Sequence, residues 1–142
     1  MISQLTVFLE NQKGRLAAAC RTISDAGFNM HSLFIADTQD FGVVRLLVDN
    51  PKAAAAALRD AGYRATITPV TAVRVPNRPG GLAELLEYMD SQDVNIEYGY
   101  CFTSSADFAI DILKTDEDAQ LEEKLAAGGF TTVKPEEIYA VD

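Results

Sequence analysis

Asn11-Gln12-Lys13-Gly14-Arg15-Leu16-Ala17 and Asn77-Arg78-Pro79-Gly80-Gly81-Leu82-Ala83 are two versions of one phrase, set 66 residues apart. The same offset matches Asn29 with Asn95, Leu47 with Leu113, Gly62 with Gly128, Thr66 with Thr132 and Pro69 with Pro135, and it aligns the two halves without a gap. A repeat of this length predicts two like modules, residues 1–70 and 71–142. Each is small enough to be marginal alone, so the two are expected to pack side by side.

Around the first phrase, Ile2 to Leu9 reads as a strand, rich in apolar and β-branched residues. Leu16, Ala19, Cys20 and Ile23 follow at helical spacing, with Gly27 as the stop. Asn29 to Ala36 and Phe41 to Val48 read as strands joined by a hairpin turn at Asp37–Asp40. Pro51 opens a helix through the alanine run, Gly62 closes it, and Tyr63 to Thr68 is the last strand. The second half repeats this order. Strand Ala72–Val75 leads to a helix with Leu82, Leu85, Leu86 and Met89 on one face. Strands near 94–102 and 107–114 flank a turn at Ser104-Ser105. A helix from Asp116 to Ala127 ends at Gly128-Gly129. Each half is therefore βαββαβ, the split βαβ arrangement of the α+β class. The tail Ile138 to Val141 aligns with Ala72 to Val75 and predicts an extra C-terminal strand on a sheet edge.

Composition is that of an ordinary globular domain: 48% apolar and 23% charged. No stretch is long enough to span a membrane, and the N-terminus lacks signal-peptide order, which predicts a cytoplasmic protein. Cys20 and Cys101 lack metal or redox spacing and read as reduced core residues. Residues 1–70 carry seven Lys/Arg against six Asp/Glu, whereas residues 71–142 carry five against fifteen. The acidic second half excludes nucleic acid as a partner.

The chemistry resides in the repeated loop. Gly14 and Gly80 let backbone approach a ligand, and the helix behind each offers free N–H groups suited to a carboxylate. The Asn side chain supplies a donor and an acceptor. A plain tight turn would use the same residues, so both readings stand at this point. His31 reads as a surface or interface residue rather than a general base. Ser104-Ser105 has no base beside it. Asp107 and Asp111 alternate with apolar residues as the polar face of a strand, and Tyr98, Tyr100 and Phe102 alternate along another, as its core side or as the lining of an interface or ligand pocket. No catalytic, metal or cofactor constellation emerges.

The run Val75-Pro76-Asn77-Arg78-Pro79-Gly80-Gly81-Leu82, followed by Asp93-Val94-Asn95-Ile96, resembles the ACT family. Within that family it resembles the regulatory domain of D-3-phosphoglycerate dehydrogenase, which shows the same Asn-Arg-Pro-Gly turn. The resemblance covers both repeats and implies two ferredoxin-like ACT repeats forming a stand-alone sensor without catalytic activity. It implies a free L-amino acid bound at the interface between ACT domains, no cofactor, and a homodimer. In the family the loop Asn contacts ligand, and the Asn after the first helix contacts it from the neighbouring domain. Carried over, these are Asn77 and Asn95 in the second repeat and Asn11 and Asn29 in the first. Gly14, Pro79, Gly80, Gly81 and Leu82 shape the loops, and the second loop is the closer match because Lys13 replaces its proline. The family's His two positions before the loop Asn is here Leu9 or Val75, which removes that contact and admits a more apolar amino acid. The alternative is an interaction protein, a regulatory subunit docking on a separate metabolic enzyme with no small-molecule ligand.

Overall fold

The computed structural model describes residues 1–37, 41–103, 105–116 and 120–142. They divide into two units, Ser3–Thr68 with Pro135–Asp142, and Met1–Ile2 with Pro69–Lys134. The two βαββαβ repeats of the α+β class are both present.

In the first unit, β1 (Ile2–Glu10), α1 (Arg15–Asp25), β2 (Met30–Asp37), β3 (Phe41–Val48) and α2 (Pro51–Asp60) precede β4 (Arg64–Pro76). The strand order is β2-β3-β1-β4. Antiparallel pairing sets Leu5 opposite Leu46 and Val7 opposite Val44. These alternate residues face the helices and form a core with Ile23, Ala54 and Leu58. The other face of β1 is buried too: Gln4 donates to Thr6 Oγ1 at 3.0 Å, and Thr6 and Thr68 share a hydroxyl hydrogen bond at 2.8 Å. Helix α1 stops at Gly27, whose φ of +89° lets the chain turn back as the helical pattern predicts.

In the second unit, β4 continues into α3 (Gly81–Ser91), β5 (Ile96–Thr103), β6 (Phe108–Thr115), α4 (Leu121–Ala127) and the two-residue β7 (Thr131–Thr132). Here β4 pairs with β6, β6 with β5, and β7 with β4, the same order as in the first unit. The core is Val73, Val75, Leu85, Met89, Leu113, Leu121 and Leu125. The expected stripe on α3 is only half buried, because Leu82 and Leu86 are 45% and 37% exposed.

Several expectations are corrected. The repeat is not gapless. β2 and β5 keep the offset of 66, but Phe41–Val48 corresponds to Phe108–Thr115, 67 residues on. Three residues separate β2 from β3 and four separate β5 from β6, so the hairpin of the second repeat holds one more residue. The structural partner of Leu46 is therefore Leu113, and that of Gly62 (φ +91°) is Gly129 (φ +84°). The two strands expected at 63–68 and 72–75 are one strand, β4. Pro69 is tolerated within it because pairing with β6 begins only at Thr71. Helix α4 starts at Leu121 rather than Asp116, whose N–H donates to the Asn95 carbonyl. The rest of that expected first turn, residues 117–119, lies outside the described residues, as do residues 38–40 of the first hairpin turn and Ser104 of the second.

The tail is not a strand. Pro135–Glu137 forms a 3₁₀ turn, and residues 138–142 fold onto the first unit. Tyr139 is buried, and its hydroxyl accepts from the Ser3 N–H at 2.8 Å. Asn50 N–H donates to the Ala140 carbonyl at 2.7 Å, and Ala140 N–H donates to Asp49 Oδ1 at 2.8 Å. Asp142 accepts from the N–H groups of Lys52 and Ala53 at 2.9 and 3.1 Å. The reason is local. Asn50 sits at φ +48° and makes no side-chain cap, which leaves the α2 N-terminus to be closed by the tail.

Candidate functional site

The two loops have the same backbone. In the first, Gln12 N–H donates to Glu10 O and Arg15 N–H to Gln12 O. In the second, Arg78 N–H donates to Pro76 O and Gly81 N–H to Arg78 O. Gly14 lies at φ +88°, ψ −13° and Gly80 at φ +88°, ψ −14°, left-handed conformations that explain the glycines. Neither helix has a side-chain N-cap. The first turns of α1 and α3 therefore present backbone donors and a positive dipole end outward.

The side chains around this shared backbone differ. Asn77 is held on two sides: its N–H donates to Asp107 O at 2.9 Å and its Nδ2 to Ala106 O at 3.3 Å, tying the loop to the β5–β6 hairpin. Asn11 is exposed. Gly81 is buried against the end of β4, where a Cβ would collide with the Pro76 carbonyl. Pro79, Gly80 and Leu82 are exposed. Arg78 forms a two-pronged ion pair with Glu84, Nη1–Oε1 3.2 Å and Nη2–Oε2 3.1 Å.

Asn29 and Asn95 stand elsewhere. Each precedes an edge strand, with its carbonyl accepting from Asp49 N–H or Asp116 N–H. In the first unit the loop follows Glu10, which pairs with Phe41 at the hairpin end of the sheet, whereas Asn29 adjoins the Met30–Val48 pair at the other end. The second unit repeats this, with Pro76 opposite Phe108 and Ile96 opposite Thr115. Loop and strand-start asparagines of one unit therefore do not form one site.

Beside each loop lies an open cavity. The first, about 450 Å³, is bordered by Phe8, Glu10, Arg15, Gly62, Tyr63 and Arg64. The second, about 430 Å³, is bordered by Arg74, Pro76, Glu84, Phe108, Gly129 and Phe130, with Asp107. Phe8 and Arg74, Glu10 and Pro76, Gly62 and Gly129, Tyr63 and Phe130 hold equivalent positions, so both repeats form the same crevice with different chemistry. Arg64 stacks over Phe8 at 5.5 Å in one, and Arg74 over Phe108 at 4.0 Å in the other. Sequence reading missed these walls; an aromatic residue directly after the helix-ending glycine of each repeat was the available signal.

The remaining candidates resolve as follows. His31 Nε2 lies 2.8 Å from Asp49 Oδ1, on the tail network rather than at a loop. Cys101 is exposed, not in the core, and Asp111 is buried, not on a polar face. The two stand opposite each other on β5 and β6, and the Cys101 thiol hydrogen-bonds the Asp111 carboxyl. Asp107 precedes β6, in the turn, where its N–H donates to Ser105 Oγ. Tyr98, Tyr100 and Phe102 are half buried along β5. Among the described residues, no cluster of His, Cys, Asp and Glu could hold a metal ion, and no helix is long and apolar enough to cross a membrane.

A family model described as an ACT domain pair matches residues 1–140. The chain belongs to the ACT domain pair family. Among solved structures, this ACT pair is similar to a protein from Bacteroides thetaiotaomicron, with 31% identity, 97% of this chain and 95% of that chain covered, and a TM-score of 0.91. It is also similar to the regulatory subunit of aspartate kinase from Thermus thermophilus, at 17% identity, 89% and 90% coverage and a TM-score of 0.68. The corresponding subunit from Thermus flavus gives 18%, 88% of each chain and 0.61. At these identities the two subunits show a common fold. No curated protein matches the ACT pair by sequence.

Proposed function

We propose that this ACT pair is a cytoplasmic, non-catalytic regulatory protein that senses a free L-amino acid and works as a homodimer. The observation that carries the reading is the doubled loop: a left-handed glycine before an uncapped helix, formed twice with the same backbone angles. Such a helix start accepts a carboxylate, and the adjoining cavities give room for a side chain. The second-repeat loop, with Asn77, Pro79, Gly80, Gly81 and Leu82, is the primary site, and Asn11 with Gly14 the secondary one. Asn29 and Asn95 serve a ligand held by a loop other than that of their own unit.

Thermal denaturation in the presence of each of the twenty common L-amino acids tests this, because a ligand of the native state raises the melting temperature by mass action. Calorimetric titration then locates the site. Asn77→Ala weakens binding by about 1 kcal/mol or more, and Gly80→Val, which blocks backbone approach, weakens it further. Asn11→Ala reports whether the first loop contributes. If no amino acid shifts the transition, the second reading replaces the first: a subunit docking on a separate metabolic enzyme. Exposed Leu82 and Leu86 on α3 favour such a contact, in line with the regulatory subunits of aspartate kinase that share the fold.

A further inference from the structure

We propose that the Arg78–Glu84 ion pair is the recognition element of the second loop. A zwitterionic L-amino acid with an apolar side chain replaces it charge for charge. The ligand carboxylate takes the Arg78 guanidinium, and the ligand ammonium takes the Glu84 carboxylate. This deepens the amino-acid reading above and rests on it.

The geometry supports the exchange. Arg78 and Glu84 meet through two roughly parallel contacts of 3.2 and 3.1 Å, the fork that a guanidinium offers equally to an α-carboxylate. The pair straddles Gly80: a Cβ built there would stand 3.8 Å from Arg78 Nη1 and 3.9 Å from Glu84 Oε1. Opposite charges are thus already placed at the mouth of the α3 N-terminus. Both side chains are about half exposed, and such pairs are weak and screened. Opening this one costs little compared with two new charge-assisted contacts to a ligand.

Glu84 also borders the cavity whose walls include the rings of Phe108 and Phe130. An ammonium on Glu84 therefore directs the ligand side chain toward this wall, where the two rings favour apolar groups although Arg74, stacked over Phe108 at 4.0 Å, and Asp107 share it. The first loop does not repeat this fork: its ion pair is a single contact, Arg15 Nη2 to Glu10 Oε2 at 3.4 Å. Its residues at the equivalent positions are Gln12 and Ala18, without charge. The two-pronged exchange is therefore open to a zwitterion at the second loop alone, although the chain carries the loop backbone twice.

The test uses the full chain. The twenty L-amino acids are screened by melting temperature. Each one that shifts it is titrated calorimetrically against wild type, Arg78→Gln and Glu84→Gln, together with its N-acetyl and amide derivatives. Expected are an apolar amino acid as the best ligand, one site per chain, and affinity reduced about tenfold or more in each variant. The N-acetyl derivative, lacking the ammonium, binds wild type weakly and no more weakly in Glu84→Gln. The amide shows the same insensitivity to Arg78→Gln. Both substitutions are on exposed side chains, so unchanged melting temperatures without ligand certify the fold. Undiminished amino-acid affinity in both variants overturns the exchange and leaves the sensor reading standing. Two equal sites per chain, or a preference for charged side chains, also overturns it. No shift from any amino acid in wild type removes both readings.

Discussion

Asp111 occupies in the second repeat the core position that Val44 fills in the first. Val44 pairs with Val7 on β1, and Asp111 pairs with Val73 on β4, at equivalent registers. Asp111 is only 4% exposed, and its Oδ2 has no hydrogen-bond partner. Burial pushes its carboxyl above the ordinary value, opposed by the hydrogen bond from Cys101.

Asp111→Val is therefore expected to stabilise the protein at neutral pH by about 1–2 kcal/mol, by removing a polar group that is poorly satisfied. A carboxyl with a raised folded pKa binds its proton more tightly in the native state. Its unfavourable contribution thus appears as pH rises above the ordinary value of 3.8 and is absent below it. Urea denaturation at neutral pH and at acidic pH checks both halves: the advantage of the valine variant shrinks as the medium is acidified.

Asp49 shows the opposite case. Hydrogen bonds from Ala140 N–H and from His31 hold its carboxyl below the ordinary value. A depressed folded pKa contributes stability that is present above pH 3.8 and lost as pH falls through the folded pKa. Hydrogen exchange at Ala140 N–H is expected to quicken in that acid window, before the core amides of β3 respond. Simultaneous loss of both would contradict it.

Asp142 caps α2 from outside the helix, through the N–H groups of Lys52 and Ala53. Asp142→Ala should cost about 1 kcal/mol, the usual worth of an N-cap. Its effect should be concentrated on the amide protection of Lys52 and Ala53, read by the same exchange measurement.

Gly81 and Gly80 are adjacent glycines with different reasons to be glycine. At Gly81 a Cβ would strike the Pro76 carbonyl, whereas at Gly80 there is space but a φ of +88°. Gly81→Ala is expected to cost ~1–3 kcal/mol through displaced backbone, and Gly80→Ala ~1–2 kcal/mol through left-handed strain. Chemical denaturation of the two variants measures this directly. Arg15, at the position equivalent to Gly81, shows that the first loop leaves its β-strand more room.

The loops were legible because only glycine takes their backbone without strain, and a constraint that fixes one residue type survives in sequence. The extra hairpin residue was not. Leu46 and Leu47 are both buried, as are Ile112 and Leu113, because β3 and β6 are covered on both faces. A one-residue slip then sets apolar against apolar, and the alternation that normally exposes a wrong register is missing. The tail misled for a related reason. Ile138-Tyr139-Ala140-Val141 has strand composition, but Tyr139 is buried and hydrogen-bonded to Ser3, and the last turn of the chain closes the start of α2. The buried Asp111 could not be read from alternation with apolar neighbours, which describes a half-exposed strand equally well. The ion pair of Arg78 with Glu84 was hidden by sequence distance: it bridges six positions across a glycine turn, outside the three- and four-residue spacings that mark helix-face pairs.

Residues 135–142 belong to the first unit yet are separated from the rest of it by the whole second repeat. During synthesis the first repeat leaves the ribosome with the start of α2 open, and its final hydrogen bonds wait for some seventy further residues to be translated. A truncation that spares every residue of both repeats but removes the tail would reproduce that nascent state permanently. The stability of the first repeat in this sense reports that the second repeat has been made through to residue 142.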